Sequence, residues 1–197
     1  MAAVDRREAL AAAAMRVMAR DGLAAGTTRA IVAEAGMSLA SFHYAFGSRD
    51  ELLQELVHRM VGRERRATTV EVHPDEPPAE ALRRAAHGYL AHLLADPGDE
   101  LFVLELAVLA ARDERWAGLV AGQHAENRRM AADVLIEVAR VCGVGWRHPV
   151  PDLARLLVAV LDGVTATWLL DRDTAAARDA LDAGVDLFVQ AHLDPAP

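Results

Sequence analysis

Between Thr27 and Leu53 the chain reads TTRAIVAEAGMSLASFHYAFGSRDELL, and its polar groups are of the kind that bind rather than transform. Arg29 and Arg49 bring forked guanidiniums, Thr27, Thr28, Ser38 and Ser41 bring hydroxyls, and His43 and Tyr44 add a ring nitrogen and a phenol. No comparable cluster suits bond-breaking chemistry. His87 and His92 are five apart, which fits neither i,i+3 nor i,i+4 pairing on a helix, so a metal site is not expected. Gly143-Val144-Gly145 lacks the preceding strand and following helix of a phosphate loop. No Gly-x-Ser-x-Gly elbow occurs, and Asp113-Glu114 stands at a helix start, where it reads as a cap. The single Cys142 forms neither an intrachain disulfide nor a cysteine zinc cluster. No catalytic residue, metal or cofactor is expected, and the chain does not read as an enzyme.

The elements that position these groups are helices. Ala, Leu, Arg and Glu dominate, and alternating β-branched runs are missing. A first helix over about 6–20 places Leu10, Ala14 and Val17 on one face and stops at Gly22. Thr27 caps a short helix over 28–34, and Ser38 caps another over 39–46. Ser48-Arg49-Asp50-Glu51 is a capping box opening a long helix to about Thr68. The prolines of TVEVHPDEPP, residues 69–78, interrupt the pattern. Further helices are expected at about 79–95, 100–111, 114–142, 151–170 and 174–192.

Two short helices joined at Ala35-Gly36-Met37-Ser38 have the length and glycine turn of a helix-turn-helix. Ile31, Ala35, Met37, Phe42 and Phe46 supply its interior. Leu39, Ala40, Ser41, His43 and Tyr44 are left facing outward, where a helix can enter a DNA major groove about 12 Å wide. That helix lacks Arg, Lys, Asn and Gln, so it cannot make the bidentate contacts that read guanine or adenine. Leu39 and Ala40 suit thymine methyls, Ser41 and His43 give single hydrogen bonds, and Arg29 becomes the chief candidate base reader.

These residues resemble the DNA-binding region of the TetR family of bacterial transcriptional regulators. The likeness runs over about 6–56: a helix ending in Gly22, TTR-x-I-V-A-E-A-G, Met37-Ser38, the aromatic Phe42-His43-Tyr44-Ala45-Phe46, and Gly-Ser-Arg-Asp-Glu-Leu-Leu. The resemblance implies an all-α fold: a three-helix DNA-binding domain at 1–48, a connecting helix at 49–70, and a ligand-binding and dimerisation domain at 71–197. It implies a homodimer on a palindromic operator, released by a small molecule. Position by position, Thr28 and Arg29 would reach bases or phosphate. Leu39, Ala40, Ser41 and His43 would face the groove, while Tyr44 and Arg49 would hold phosphates; Thr27 and Ser38 belong to the same surface.

For the body the resemblance places His87, Leu104, Val108, Trp116, His124, Asn127, Thr165 and Trp168 around a pocket. Core packing is the alternative for each. Glu105 lies inside the apolar run LFVLELAVLAA. It is either a pocket acid for a cationic or hydroxylated effector, or a carboxylate paired with Arg128 or Arg84 or turned to solvent. Asp162-Gly163-Val164 resembles the dimerisation helix of many members. Val160, Gly163, Val164, Leu181, Gly184, Val185 and Phe188 are accordingly expected in a dimer interface of two helices per subunit, with intrachain packing as the alternative.

A net charge of −8 argues against a DNA partner until it is divided along the chain. Residues 1–70 hold ten Arg and eight acids, whereas 71–197 hold eleven Arg and twenty-one acids. The basic excess lies at the N-terminal end, and the acidic body would repel DNA. The first apolar stretch carries Arg6, Arg7, Arg16 and Arg20, unlike a secretory signal. No run of 18 uncharged apolar residues occurs, so no membrane partner is expected and the cytoplasm is the expected location. A ligand-released repressor is the leading expectation. An activator or a regulator without an effector remains open, as does an enzyme or carrier with a helix-turn-helix module.

Overall fold

The computed structural model describes residues 3–194. Among them the chain forms nine α-helices: α1 (Ala3–Asp21), α2 (Thr28–Glu34), α3 (Leu39–Ala45), α4 (Arg49–Thr68), α5 (Pro78–Ala95), α6 (Pro97–Ala110), α7 (Glu114–Cys142), α8 (Val150–Asp171) and α9 (Thr174–His192). A 3-10 turn, Leu23–Ala25, lies between α1 and α2. The segment expected as a plain loop after α7 contains β1 (Gly145–Trp146), which pairs antiparallel with β2 (Leu193–Asp194). The fold is all-α apart from this two-residue ladder.

The side-chain pattern sets most helix limits. Thr27 Oγ1 accepts the Ala30 amide at 3.2 Å, Ser38 Oγ that of Ser41 at 3.1 Å, and Ser48 Oγ that of Glu51 at 3.0 Å. Each fills a donor left open by a helix start. Glu51 reaches back to the Gly47 amide at 2.8 Å and completes the box. Helix α3 stops one residue earlier than its aromatic run suggests, because Phe46 is extended (φ −136°, ψ 127°) while its amide still bonds the Phe42 carbonyl. Helix α6 begins at Pro97, three residues before the expected start. Proline has no amide hydrogen to lose at a first helical position, and Asp99 and Glu100 fall in the favourable first turn.

The chain divides into two compact units, one of Met1–Gly62 with Asp96–Gln123, the other of Arg63–Ala95 with His124–Pro197. The proline-rich segment suggests a contiguous division; the packing is discontinuous. Its cause is apolar: α6 and the start of α7 give Phe102, Leu106 and Trp116 to the core of the first unit. There they join Leu10, Ala14, Ile31, Phe42, Phe46, Leu52 and Leu56. Helices α4 and α7 each run unbroken through the division.

In the second unit α5 packs on α9, and α8 on α9. One core gathers Leu82, Leu135, Val138, Leu153, Val185 and Phe188; another gathers Leu90, Leu93, Trp168 and Leu181. Among the described residues α8 is long and apolar enough to cross a membrane by length and composition. Its buried positions, Leu153, Ala154, Val158, Thr165 and Trp168, recur at helical spacing and pack inside this unit.

Candidate nucleic-acid interface and a separate cavity

Gly36 turns the chain between α2 and α3 at φ +63°, a left-handed conformation that costs other residues, and the Met37 amide bonds the Val32 carbonyl at 2.8 Å. Below the turn Ile31, Phe42 and Phe46 are fully buried, and Ala35 and Met37 pack beside them. Helix α3 must therefore show its other face to solvent. Leu39, Ala40, His43 and Tyr44 are exposed, as are Ser38, Thr27 and Arg29; Thr28 and Ser41 are half-buried. Tyr44 is 72% exposed, far more than a packing role would leave it. Arg29 is exposed at the start of α2, where its guanidinium can meet a base edge or a phosphate.

Two arginines of α1 shape this surface without any sequence signal, because their targets lie some forty residues away. The Arg6 guanidinium stands 5.0 Å from the centre of the Tyr44 ring and adds positive charge beside the phenol. Arg7 donates to the Ala45 carbonyl at 2.7 Å, to Glu51 at 2.9 Å and to Glu55 at 3.2 Å, tying α1 to the end of α3 and the start of α4. The Gly47 amide and then Arg7 hold the Glu51 carboxyl below its ordinary pKa. On the other flank Arg16 and Arg20 meet Glu34 at 2.9 and 3.3 Å, fastening α2 to α1.

Arg49 departs from its expected outward role. Its Nε donates to the Gly26 carbonyl and its Nη2 to the Leu23 carbonyl, both at 2.7 Å. Burial lowers its pKa, opposed weakly by Asp50. The Leu23 carbonyl already accepts the Gly26 amide at 3.2 Å, so the guanidinium at the start of α4 adds a second bond there and fills the Gly26 carbonyl as well. Arg49 thus positions the turn that leads into α2. Glu105 completes the arrangement from α6, accepting the Leu23 amide at 2.5 Å. Glu105 is exposed, as the solvent-facing alternative has it, but its carboxylate also satisfies a backbone donor; Arg84 is engaged instead with Glu76 and the Glu71 carbonyl.

The second unit holds a half-open cavity of about 390 Å³ among α5, α7, α8 and α9, with Thr68 of α4 at its wall and the exposed Leu156, Val160 and Leu187 at its mouth. Of the pocket candidates, Asn127 lines it. Thr165 stands one bond behind, its hydroxyl 2.5 Å from the hydroxyl of the lining Tyr89. The others are elsewhere. His87 bonds Asp182 at 2.8 Å and Trp168 donates to Thr174 at 3.1 Å. His124 does not line the cavity but lies close enough to Asp162 to influence its charge. Leu104, Glu105, Val108 and Trp116 belong to the first unit, with Trp116 in its core and Leu104 and Val108 exposed. Sequence periodicity gives a helix face but not the neighbour it meets, which is why these four separate from the rest.

The expected dimer residues also divide. Leu181, Val185 and Phe188 are at most 6% exposed and form core, so they cannot belong to an outer face. Val160 and Gly163 are exposed, and a methyl added at Gly163 would meet open space. Val164 and Gly184 are half-buried, and a Cβ at Gly184 would lie 3.6 Å from Val160. The exposed stripe is instead Leu156, Val160, Gly163 and Leu170 on α8, with Ala180, Ala183 and Leu187 on α9. Leu170 and Leu187 are 88% and 66% exposed, which leaves apolar area for a partner.

Comparison with known proteins agrees with the trihelical head. Residues 10–56 match the family model described as bacterial regulatory proteins, tetR family. The chain is 26% identical over 186 residues to the HTH-type nicotine-responsive transcriptional repressor HdnoR of Paenarthrobacter nicotinovorans, spanning 94% of this chain and 95% of that protein. A transcriptional regulator from Rhodococcus sp. Rha1 superposes with a TM-score of 0.75 at 26% identity, covering 97% of this chain and 99% of its own. A TetR-family regulator from Rhodococcus sp. gives a TM-score of 0.79 at 22% identity, covering 94% and 98%, and shows the shared fold. These relatives are transcriptional regulators rather than enzymes. Residues 10–56 thus match the tetR family of bacterial regulatory proteins, and along its whole length the all-α chain is similar to transcriptional regulators.

Proposed function

We propose that this regulator is a cytoplasmic repressor that holds a palindromic operator as a homodimer and releases it when a small molecule fills the cavity of the second unit. The observation that carries the reading is that one chain has both an exposed recognition helix and an apolar cavity of ligand size. Base reading falls to Arg29 at the start of α2, with Leu39, Ala40, Ser41 and His43 on the groove floor and Tyr44, backed by Arg6, at a phosphate. Thr27, Thr28 and Ser38 stand at the helix starts, where hydroxyls and amides suit phosphate oxygens.

Helix α4 begins with Arg49 in the head and ends with Thr68 at the cavity wall, so a change at one end has a covalent path to the other. A ligand shifts the equilibrium only as far as it prefers the released state, and bound DNA must weaken the ligand by the same factor. The printed name of the HdnoR relative, a nicotine-responsive repressor, supports both the sign and the gating. Mobility shift of genomic fragments, followed by addition of fractionated metabolites, tests the proposal. Expected is retention of a small set of fragments, released by at least one fraction. Uniform binding of every fragment, or retention that no fraction relieves, contradicts it.

A further inference from the structure

The cavity wall is apolar almost throughout, with Leu, Val, Ala and Met side chains from four helices. Its polar exceptions are Thr68, Tyr89, Asn127, Asp162 and His192. Among the described residues that line it, Asp162 is the one carboxylate and none is an arginine. Among the described residues Asp162 has no cationic partner in hydrogen-bond contact; half-buried His124 is the group whose charge reaches it. Asn127 Oδ1 and His192 Nδ1 are buried and lack a hydrogen-bond partner in the protein. Both residues line the cavity, as do the aromatic side chains of Tyr89 and Phe188.

An orphan acceptor in an apolar surround is costly, and few such groups persist without a partner. A carboxylate bordering the same space adds negative potential, with no arginine among the described lining residues to offset it. An anionic ligand would meet repulsion there, and a purely hydrocarbon ligand would leave the Asn127 oxygen unsatisfied. A protonated amine answers both needs: it neutralises Asp162, donates N–H to Asn127 Oδ1, and gains from aromatic neighbours.

Resting on the reading of this cavity as the effector site, we propose that its ligand is an amphipathic organic cation, an apolar body bearing an amine. The amine is held by Asp162 and Asn127, and the body is packed against α8 and α9. Asp162 is exposed at the mouth of the cavity, and the part of its carboxyl that the protein covers is desolvated enough to raise its pKa, while His124 lowers it. A bound cation at that position reverses the desolvation effect and keeps the carboxylate ionised.

Calorimetric titration of the full chain with phenylbutylamine, phenylbutanol and phenylbutyrate tests this, since the three share one hydrocarbon body and differ in charge. The amine is expected to bind about tenfold tighter than the alcohol, as a charge pair at the cavity mouth together with a bond to Asn127 warrants, and the carboxylate weakest. Asp162→Asn should bring the amine down to the level of the alcohol, and Asn127→Leu should weaken it separately; circular dichroism shows that each variant is folded. Alcohol or carboxylate binding as tightly as the amine overturns the cation assignment, as does an amine preference that survives both substitutions. Where such binding is still lost in the cavity-filling Ala131→Phe, the effector site itself stands. Binding indifferent to Ala131→Phe, or no binding of any probe, removes the cavity reading as well.

Discussion

The carboxylate of Glu105, in the middle of α6, accepts the backbone amide of Leu23, in the turn between α1 and α2, at 2.5 Å. The same Leu23 gives its carbonyl to Arg49 at 2.7 Å. One residue of the turn is thus gripped from both sides, by an acid from α6 and a base from α4. Gly22 shapes the turn: it sits at φ +87°, a conformation that strains any residue with a side chain, directly beside the Glu105 carboxylate. The entry to α2, and with it Arg29, is set by this grip.

Removing the acid should therefore loosen the head. Glu105→Ala leaves the Leu23 amide without its acceptor and is expected to cost about 1–3 kcal/mol in urea denaturation, with weaker operator binding. Glu105→Gln keeps an acceptor oxygen and should lose less. Equal loss in the two variants would mean that charge, not the bond to Leu23, matters.

Arg29 and Arg49 should part company in two assays. Arg29→Ala is expected to lower operator affinity by about 1–3 kcal/mol and to relax preference at one base step, leaving the melting temperature unchanged. Arg49→Ala should lower the melting temperature and leave the salt dependence of DNA binding nearly intact. Lysine should not rescue it, because one ammonium cannot reproduce the fork to two carbonyls. A salt slope reduced by about one in Arg49→Ala would restore it as a phosphate contact.

The contrast between these arginines marks what the sequence carries. Caps are local, so Thr27, Ser38 and Ser48 announce α2, α3 and α4, and alternation around Ile31 and Phe42 leaves Leu39, His43 and Tyr44 outside. Long-range partners are not local. Arg49 reaches two carbonyls of a 3-10 turn that no residue pattern advertises, and Arg6 meets Tyr44 across the head. On α9 the apolar stripe Leu181, Val185 and Phe188 is plain, but its period does not say whether α5 and α8 or a second subunit covers it. The small residues on the opposite face, Ala180 and Ala183, give too weak a hydrophobic signal to compete.

That geometry yields a test of the proposed dimer. Gly163→Arg should leave folding intact, since open space surrounds the position, yet convert dimer to monomer in sedimentation velocity. Phe188→Ala should instead cost about 3–5 kcal/mol of stability through the core. A dimer that persists in Gly163→Arg would place the interface elsewhere.

The segment before α5 predicts an acid response. Arg84, followed by the His73 amide, holds the Glu76 carboxyl down to about 2 against an ordinary 4.5. A carboxyl depressed by folding stabilises above its unfolded pKa and loses that contribution as pH falls toward the folded value. Glu76→Gln should accordingly melt below wild type near neutrality, with the gap closing as pH falls from about 4.5 toward about 2. A gap independent of pH would show that Glu76 acts through shape alone.

Selection of bound sequences from a random DNA pool by the full chain bears most directly on the central claim, that paired heads deliver α3 into successive major grooves. The expected winner is a palindrome whose half-sites lie about one helical turn apart, or a multiple of it, with Arg29→Ala blurring the same base in both halves. Enrichment of an asymmetric single site, or no enrichment over the starting pool, would contradict it.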